Sequence, residues 1–178
     1  MREKTRSECV IIGGGIIGLA IAAKLAKQGL AVIVLEAEKQ TIQHASSHNS
    51  EVIHSGIYYK PESLKAKFCV EGNHLLYEYC HNKGIDYKRI GKLIIANDLN
   101  EKNALNKLFL NGIKNGVDGL SVINKREIIN KEPNLNAKYA IFSETTGIID
   151  SHAFALSLEA EIENFKKTTG AHEVSTER

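Results

Sequence analysis

The ordered pattern of the chain begins with a four-residue apolar run, Cys9-Val10-Ile11-Ile12, too short for a helix and suited to a strand buried in a parallel sheet. Glycines follow at positions 13, 14, 15 and 18. From Ile16 to Gln28, the residues Ile17, Ile21 and Leu25 recur four apart, which predicts a helix with that row facing inward. Ala22 and Ala26 lie beside the row and let the helix approach a sheet closely. Gly29 is a helix stop, and Leu30 to Leu35 is a second β-rich run ending in Glu36. The order β-α-β with an apolar first strand predicts an α/β fold.

Residues 39–60 have no period and are rich in Ser, His, Asn and Tyr, the composition of a functional loop. Pro61 and Gly84 bracket a predicted helix, Glu62 to Lys83, with Leu64, Phe68, Leu75, Leu76 and Tyr79 as its apolar side. Lys92 to Ala96 reads as a strand, and Glu101 to Asn115 as an amphipathic helix carrying Leu105, Leu108, Phe109 and Ile113. Leu120 to Ile123 and Tyr139 to Phe142 read as strands, with a short helix at Lys125 to Asn130 between them. Thr146-Gly147 is a turn, and Ser151 to Lys166 a last helix, with Asp150 placed to cap it. The tail beyond it is polar. No internal repeat and no long linker is present.

Composition narrows the picture. Apolar residues make up 43% and charged residues 25% of 178, as in an ordinary globular protein, with a formal charge of +2. No basic run marks a nucleic-acid surface. The start is charged and has no apolar core, so it does not read as a signal peptide. The longest apolar stretch, Val10 to Ala23, holds four glycines and reads as buried core. Cys9, Cys69 and Cys80 are an odd number without a CxxC pair, which predicts free thiols in a reducing compartment. His44, His48 and His54 lack metal-site spacing, and no metal is expected.

Gly13, Gly15 and Gly18 form GxGxxG between an apolar strand and a helix, and Glu36 ends the next strand 21 residues after Gly15. A dinucleotide site needs each part. Gly13 permits the tight turn, Gly15 lets a diphosphate reach the backbone, and Gly18 lets helix and strand pack closely. The amides at the start of the helix, around Ile16 and Ile17, offer donors and partial positive charge to phosphates. Glu36, followed by Ala37, can accept from ribose hydroxyls and would repel a 2′-phosphate. The loop Ser46 to Tyr59 is dense in hydrogen-bonding side chains where a plain NAD fold would continue with a helix and a third strand.

The GGGIIG loop, Glu36, SSHNSEVIHSGIYY, SLKAKFCVEG, GKLIIA and TGIIDSH together resemble the L-2-hydroxyglutarate dehydrogenase/oxidase group of the D-amino-acid-oxidase-like flavoproteins, over residues 8 to 160. The resemblance implies FAD as cofactor and a Rossmann-like FAD-binding domain with part of a mixed α+β substrate domain. It implies oxidation of a 2-hydroxy acid, L-2-hydroxyglutarate, to the 2-oxo acid. Domains are expected at 8–84 (the N-terminal part of the FAD-binding domain), 85–149 (part of the substrate domain) and 150–178 (a returning helix and polar tail). By resemblance Ser46 and Ser47 face the diphosphate, and His48, Asn49 and Ser50 the flavin or ribityl chain. His54 is the catalytic candidate, as a base for the hydroxyl proton, and Tyr58 and Tyr59 are candidate substrate contacts. Lys60, Lys65 and Lys67 read as a solvated helix face.

Members of the group are more than twice as long, and many carry Gly at the positions of Ser47 and Glu51. Other readings are a related flavin enzyme for glycerol 3-phosphate or an amine, and a plain NAD dehydrogenase. A further one is a non-catalytic or split-gene remnant that pairs with a second polypeptide carrying the missing half. Expected partners are a small 2-hydroxy acid and no nucleic acid. The expected location is cytoplasmic, with peripheral contact to the inner membrane compatible.

Overall fold

The computed structural model describes residues 7–46 and 48–169. The elements run β1 (Cys9–Ile12), α1 (Ile16–Lys27), β2 (Val32–Leu35), β3 (Val52–Ile53), α2 (Leu64–Lys83), β4 (Tyr87–Lys88), β5 (Lys92–Ala96), α3 (Leu99–Lys114), β6 (Leu120–Ile123), α4 (Lys125–Lys131), β7 (Tyr139–Ser143), β8 (Gly147–Ile149) and α5 (Ser151–Thr169). They fall into two compact units, Met1–Ser50 with Asp150–Arg178, and Glu51–Ile149. Residues 51–84 therefore pack with the second unit.

In the first unit β1 and β2 pair in parallel, Cys9 opposite Val32 and Ile12 opposite Leu35. Parallel strands need a crossover, and α1 supplies it. Gly29 ends the helix at φ 84°, with its N–H on the Ala26 carbonyl. α1 buries Leu19, Ala22 and Ala23 and packs against α5, whose Ala155, Leu158 and Ile162 are buried. Asp150 Oδ1 accepts from the Ala153 amide at 2.8 Å, capping the first turn of α5. The row expected to face inward does not: Ile17 is 78% exposed and Ile21 is 47% exposed. The small Ala22 and Ala23 allow the close approach of a second helix, so packing follows the alanines. The outward side of β1 is also bare, with Ile12 88% exposed, although strands of a parallel sheet are normally covered on both faces.

In the second unit β3, β8 and β4 form one antiparallel sheet in that order, and β5, β7 and β6 another. The register of the second pairs Leu93 with Phe142 and Val122 with Ile141. Leu105 of α3 packs with Ile57, Ala96 and Ile141, and Ile128 of α4 packs with Ile123, Ala137 and Ala140. Helix starts are set by side chains. Ser63 accepts from the Ala66 amide and Asp98 from the Glu101 amide, so α2 and α3 begin after these caps.

The face of α2 differs from its apolar pattern. Leu64, Phe68 and Leu75 are exposed, while Ala66, Asn73, Tyr77 and Cys80 are buried. Asn73 Nδ2 donates to the carbonyls of His54 and Thr145, and the Tyr77 hydroxyl donates to Thr145. Three hydrogen bonds to loop carbonyls select this face over the more apolar one.

Residues 56–59 are held from α3. Asn111 Nδ2 donates to the Ile57 and Tyr59 carbonyls at 2.7 and 2.8 Å. Asn115 Nδ2 donates to Gly56 and Tyr59 at 2.9 and 2.8 Å. Replacing Asn111 with Ala strands the Ile57 carbonyl, since Tyr59 keeps Asn115. The expected loss is about 1–3 kcal/mol, read as a lower denaturation midpoint at unchanged slope.

Candidate functional site

The glycine loop is shaped by Gly13, which sits at φ 108° and gives its N–H to the Leu35 carbonyl at 2.8 Å, tying the end of β1 to β2. L-residues with a side chain rarely adopt that conformation. At Gly18 a methyl group would lie 2.0 Å from the Gly13 carbonyl oxygen. Bare glycine there is a requirement of close packing between helix and loop. At Gly15 the nearest atom to an added methyl is Ser46 Oγ, at 2.9 Å.

A clasp surrounds this loop. Glu36 Oε2 accepts from the Gly14 amide at 2.7 Å, and Oε1 accepts from the Glu38 amide at 3.1 Å. These two amides, Glu38 first, hold the Glu36 carboxyl below its ordinary pKa, so it stays charged. The Ile42 amide donates to the Gly14 carbonyl at 3.0 Å. Ile42 is buried with φ 61°, a costly conformation for a β-branched residue. Thr41 is hydrogen-bonded to Glu159 of α5. An added methyl on Gly14 would meet Thr41 Cγ2 at 2.9 Å and Glu36 Oε2 at 3.0 Å, so Gly14 is also enclosed.

Ser46 Oγ accepts from the Ile16 amide at 3.2 Å, at the start of α1. The N-cap of α1, Gly15, offers no side chain, and the first turn holds no acid. The opening amides, Ile17 and Gly18 among them, have no carbonyl earlier in the helix to bond. The donor set is therefore a short hydroxyl plus helix-terminal amides beside glycines, the chemistry that suits a diphosphate. The Ile16 amide is taken by Ser46 Oγ, which leaves the Ile17 and Gly18 amides as the open donors, and the side chain of Ile17 points outward.

The other expected cofactor residues are placed as follows. Ala37 is exposed after Glu36, and Ser50 is exposed at the end of the segment. His48 Nδ1 bonds the His44 carbonyl at 3.0 Å. Asn49 Nδ2 donates to the Ser46 carbonyl at 3.1 Å and to Ser151 Oγ at 3.2 Å, so it ties the loop to α5. Ser47 lies outside the described residues. Glu51 adopts φ 56°, a conformation glycine takes without cost.

Glu36→Gln leaves one of the two backbone amides facing an NH2 group. Affinity for FAD or ADP is expected to fall about tenfold, measured by fluorescence titration. The pH sign is also fixed. A lowered carboxyl pKa gives stability that is present above its ordinary value of 4.5 and lost as pH falls through the folded-state pKa. Glu36→Gln removes that acid-side loss.

The second unit carries its own cluster. His54, Tyr58, Tyr59, Lys92, Ser55 and Thr146 line one small pocket. The His54 carbonyl accepts from Asn73 Nδ2 at 3.0 Å and from Cys69 Sγ at 3.6 Å, which fixes its backbone. Its ring is pushed below the ordinary pKa of 6.5 by burial first, then by Lys92 and Lys65. His54 is therefore neutral at pH 7 and able to accept a proton. Ser55 and Thr146 of the same pocket are joined through Ser143, whose Oγ donates to Ser55 Oγ at 3.0 Å and bonds Thr146 Oγ1 at 3.0 Å, a buried hydroxyl triad. Lys65 Nζ lies 4.6 Å from the Tyr59 ring centre, and Lys92 Nζ 4.7 Å from that of Tyr58. Of these lysines Lys92 alone lines the pocket; Lys60, Lys65 and Lys67 do not, and Lys65 reaches the site over the Tyr59 ring. Lys92, Asn73 and the hydroxyl triad carried no sequence signal, because an isolated Lys at a strand start or a Ser inside a strand reads as ordinary surface or filler.

Fold and loop together define an α/β dinucleotide-binding protein, its βαβ unit closed by an acidic residue at the second strand. The FAD dependent oxidoreductase family model matches residues 8–166, and the chain belongs to that family. It is 50% identical to the mitochondrial L-2-hydroxyglutarate dehydrogenase of Homo sapiens over 158 residues, which are 88% of this chain and 34% of that protein. It is 46% identical to the Arabidopsis thaliana protein of that name over 155 residues, covering 87% of this chain and 32% of the relative. The chain thus spans about a third of the length of these curated relatives. Among solved structures, the L-alpha-glycerophosphate oxidase of Mycoplasma pneumoniae with FAD bound superposes with a TM-score of 0.79 at 30% identity, over 90% of this chain and 44% of that one. Glycine oxidase of Geobacillus kaustophilus, at 20% identity and a TM-score of 0.79, shares the fold.

Proposed function

We propose that this chain is the cofactor-holding, N-terminal portion of an FAD-dependent oxidoreductase acting on the CH–OH group of a 2-hydroxy acid, L-2-hydroxyglutarate. The observation that carries the reading is the 50% identity to L-2-hydroxyglutarate dehydrogenases sustained over 88% of the chain. FAD, when bound, supplies the acceptor for the hydride from C2. The residues here do the rest. The α1 amides and Ser46 hold the diphosphate, and Glu36 takes the ribose hydroxyls with the oxygen lone pairs left beside Gly14 and Glu38. Neutral His54 accepts the hydroxyl proton, and Tyr58 and Tyr59 contact the substrate.

The functional division at 8–84, 85–149 and 150–178 is part of this proposal. So is a covering partner. Val10, Ile12 and Leu35 leave the outer face of β1 and β2 apolar and bare, which favours a second polypeptide equivalent to the remainder of the relatives. Cys9, Cys69 and Cys80 are free, which suits a reducing compartment such as the cytoplasm. Among the described residues no helix is long and apolar enough to cross a membrane.

The test is a visible spectrum of the purified chain, alone and co-expressed with the C-terminal part of a curated relative, before and after L-2-hydroxyglutarate. The flavin band is expected, and the substrate should bleach it. No flavin in either preparation overturns the reading. Bleaching by glycerol 3-phosphate instead redirects the substrate toward that of the structurally similar oxidase.

A further inference from the structure

Several cations of the second unit stand over aromatic rings, Lys102 on Tyr139 and Lys131 on Phe142 among them, but Lys65 and Lys92 are the two whose charges act on the His54 ring. Lys67 pairs with Glu71 at 3.9 Å. Among the described residues, Lys65 and Lys92 have no carboxylate within 4 Å, and each ammonium instead stands over the ring of a neighbouring tyrosine, Tyr59 and Tyr58 respectively. A cation–π contact holds an ammonium in place while leaving N–H donors free for another acceptor. Lys65 also sits in the first turn of α2, where the helix dipole disfavours a cation and where no acid compensates. Two ammonium groups without a carboxylate within 4 Å thus act on the His54 ring. Such an arrangement costs folding stability and is repaid by an anionic ligand.

We propose that Lys65 and Lys92, seated on Tyr59 and Tyr58, are the carboxylate-binding pair of this site and select a dicarboxylate over a monocarboxylate. The proposal rests on the 2-hydroxy-acid reading above and deepens it. One ammonium takes the carboxylate next to the reacting carbon and keeps the hydroxyl at His54. The other takes the distal carboxylate. Burial first, and then these same cations, lower the His54 pKa in the free protein, and a bound dicarboxylate, by neutralising the cations, makes the ring more basic as it is asked to accept a proton.

The experiment uses the 178-residue chain and the His54 ring signal in NMR, assigned by its loss in His54→Gln. Glutarate is the probe, with butyrate and chloride as controls. Glutarate is expected to shift the ring signal saturably and to raise the His54 pKa. Lys65→Gln and Lys92→Gln should each weaken glutarate binding about tenfold and raise the His54 pKa of the free chain, while Lys67→Gln changes neither. An unchanged amide spectrum outside the pocket shows that the variants fold. Absence of a saturable response to glutarate, an equal response to butyrate or chloride, or unaltered binding in both variants overturns the proposal. Glutarate binding without oxidation of L-2-hydroxyglutarate keeps the lysine pair and sinks the reaction. Oxidation with KM unchanged in both variants does the reverse.

Discussion

Gly18→Ala is expected to cost the first unit a large part of its stability and to weaken its cofactor binding strongly. The added methyl would sit 2.0 Å from a backbone oxygen, that of Gly13, and backbone cannot rotate away as a side chain can. Either α1 slides off the loop or Gly13 leaves φ 108°, and Gly13 is bonded to Leu35. Overpacking costs about 1–3 kcal/mol, and more where the obstruction is backbone, a large share of the roughly 5–15 kcal/mol that holds a domain together. Gly15→Ala separates the two roles of the glycines. Gly15 already has φ −77° and ψ 176°, which alanine adopts freely, and its methyl meets only the Ser46 hydroxyl, which can turn. Thermal stability should therefore change by less than about 1 kcal/mol. Affinity for FAD should nevertheless fall tenfold or more, because the methyl occupies the approach to the α1 amides. Circular dichroism melts and flavin titration read the two effects. Equal melting of Gly18→Ala and the parent chain would contradict the packing argument.

Why these glycines were legible in the sequence, and other features were not, has a physical basis. Gly13, Gly15, Gly18 and Glu36 are local: each acts within one βαβ unit, and each constraint is met by a residue type at a fixed spacing. The strands β1 and β2 and the helix α1 were legible for the same reason. The inward faces of α1 and α2 were not. Periodicity marks where apolar residues lie, whereas burial depends on what comes to meet them. In α1 the small alanines admitted α5, and in α2 the buried row was chosen by Asn73 and Tyr77 bonding carbonyls from distant loops. Both leave an apolar row in solvent, Ile17 and Ile21 in one and Leu64, Phe68 and Leu75 in the other. Strands β3, β4 and β8 have two or three residues each, too short to show any period. The clasp through Ile42 was hidden because it depends on a backbone conformation that isoleucine does not advertise.

On the function proposed above, and in the flavin-loaded pair with the C-terminal part of a relative, His54→Gln is expected to leave flavin content unchanged and to lower turnover of L-2-hydroxyglutarate by about 10²–10⁴-fold, the usual worth of a positioned base. Gln keeps the size and a hydrogen-bonding end, so Ser55, Asn73 and the small pocket are undisturbed, but it cannot accept a proton. The pH profile distinguishes loss of a base from loss of shape. With His54 held below its ordinary pKa of 6.5 by burial and by Lys92 and Lys65, the parent rate should climb with pH below 6.5 and level off above it. The variant should show no such limb. Stability supplies an independent reading on the same residue. A histidine with a lowered folded-state pKa binds its proton more readily when unfolded, so folding stability is full above 6.5 and falls as pH drops toward the folded-state value. His54→Gln should flatten that slope without activity being measured at all. A variant that turns over within threefold of the parent, with the acid limb intact, would assign the proton transfer to another group and leave His54 as a support for the loop.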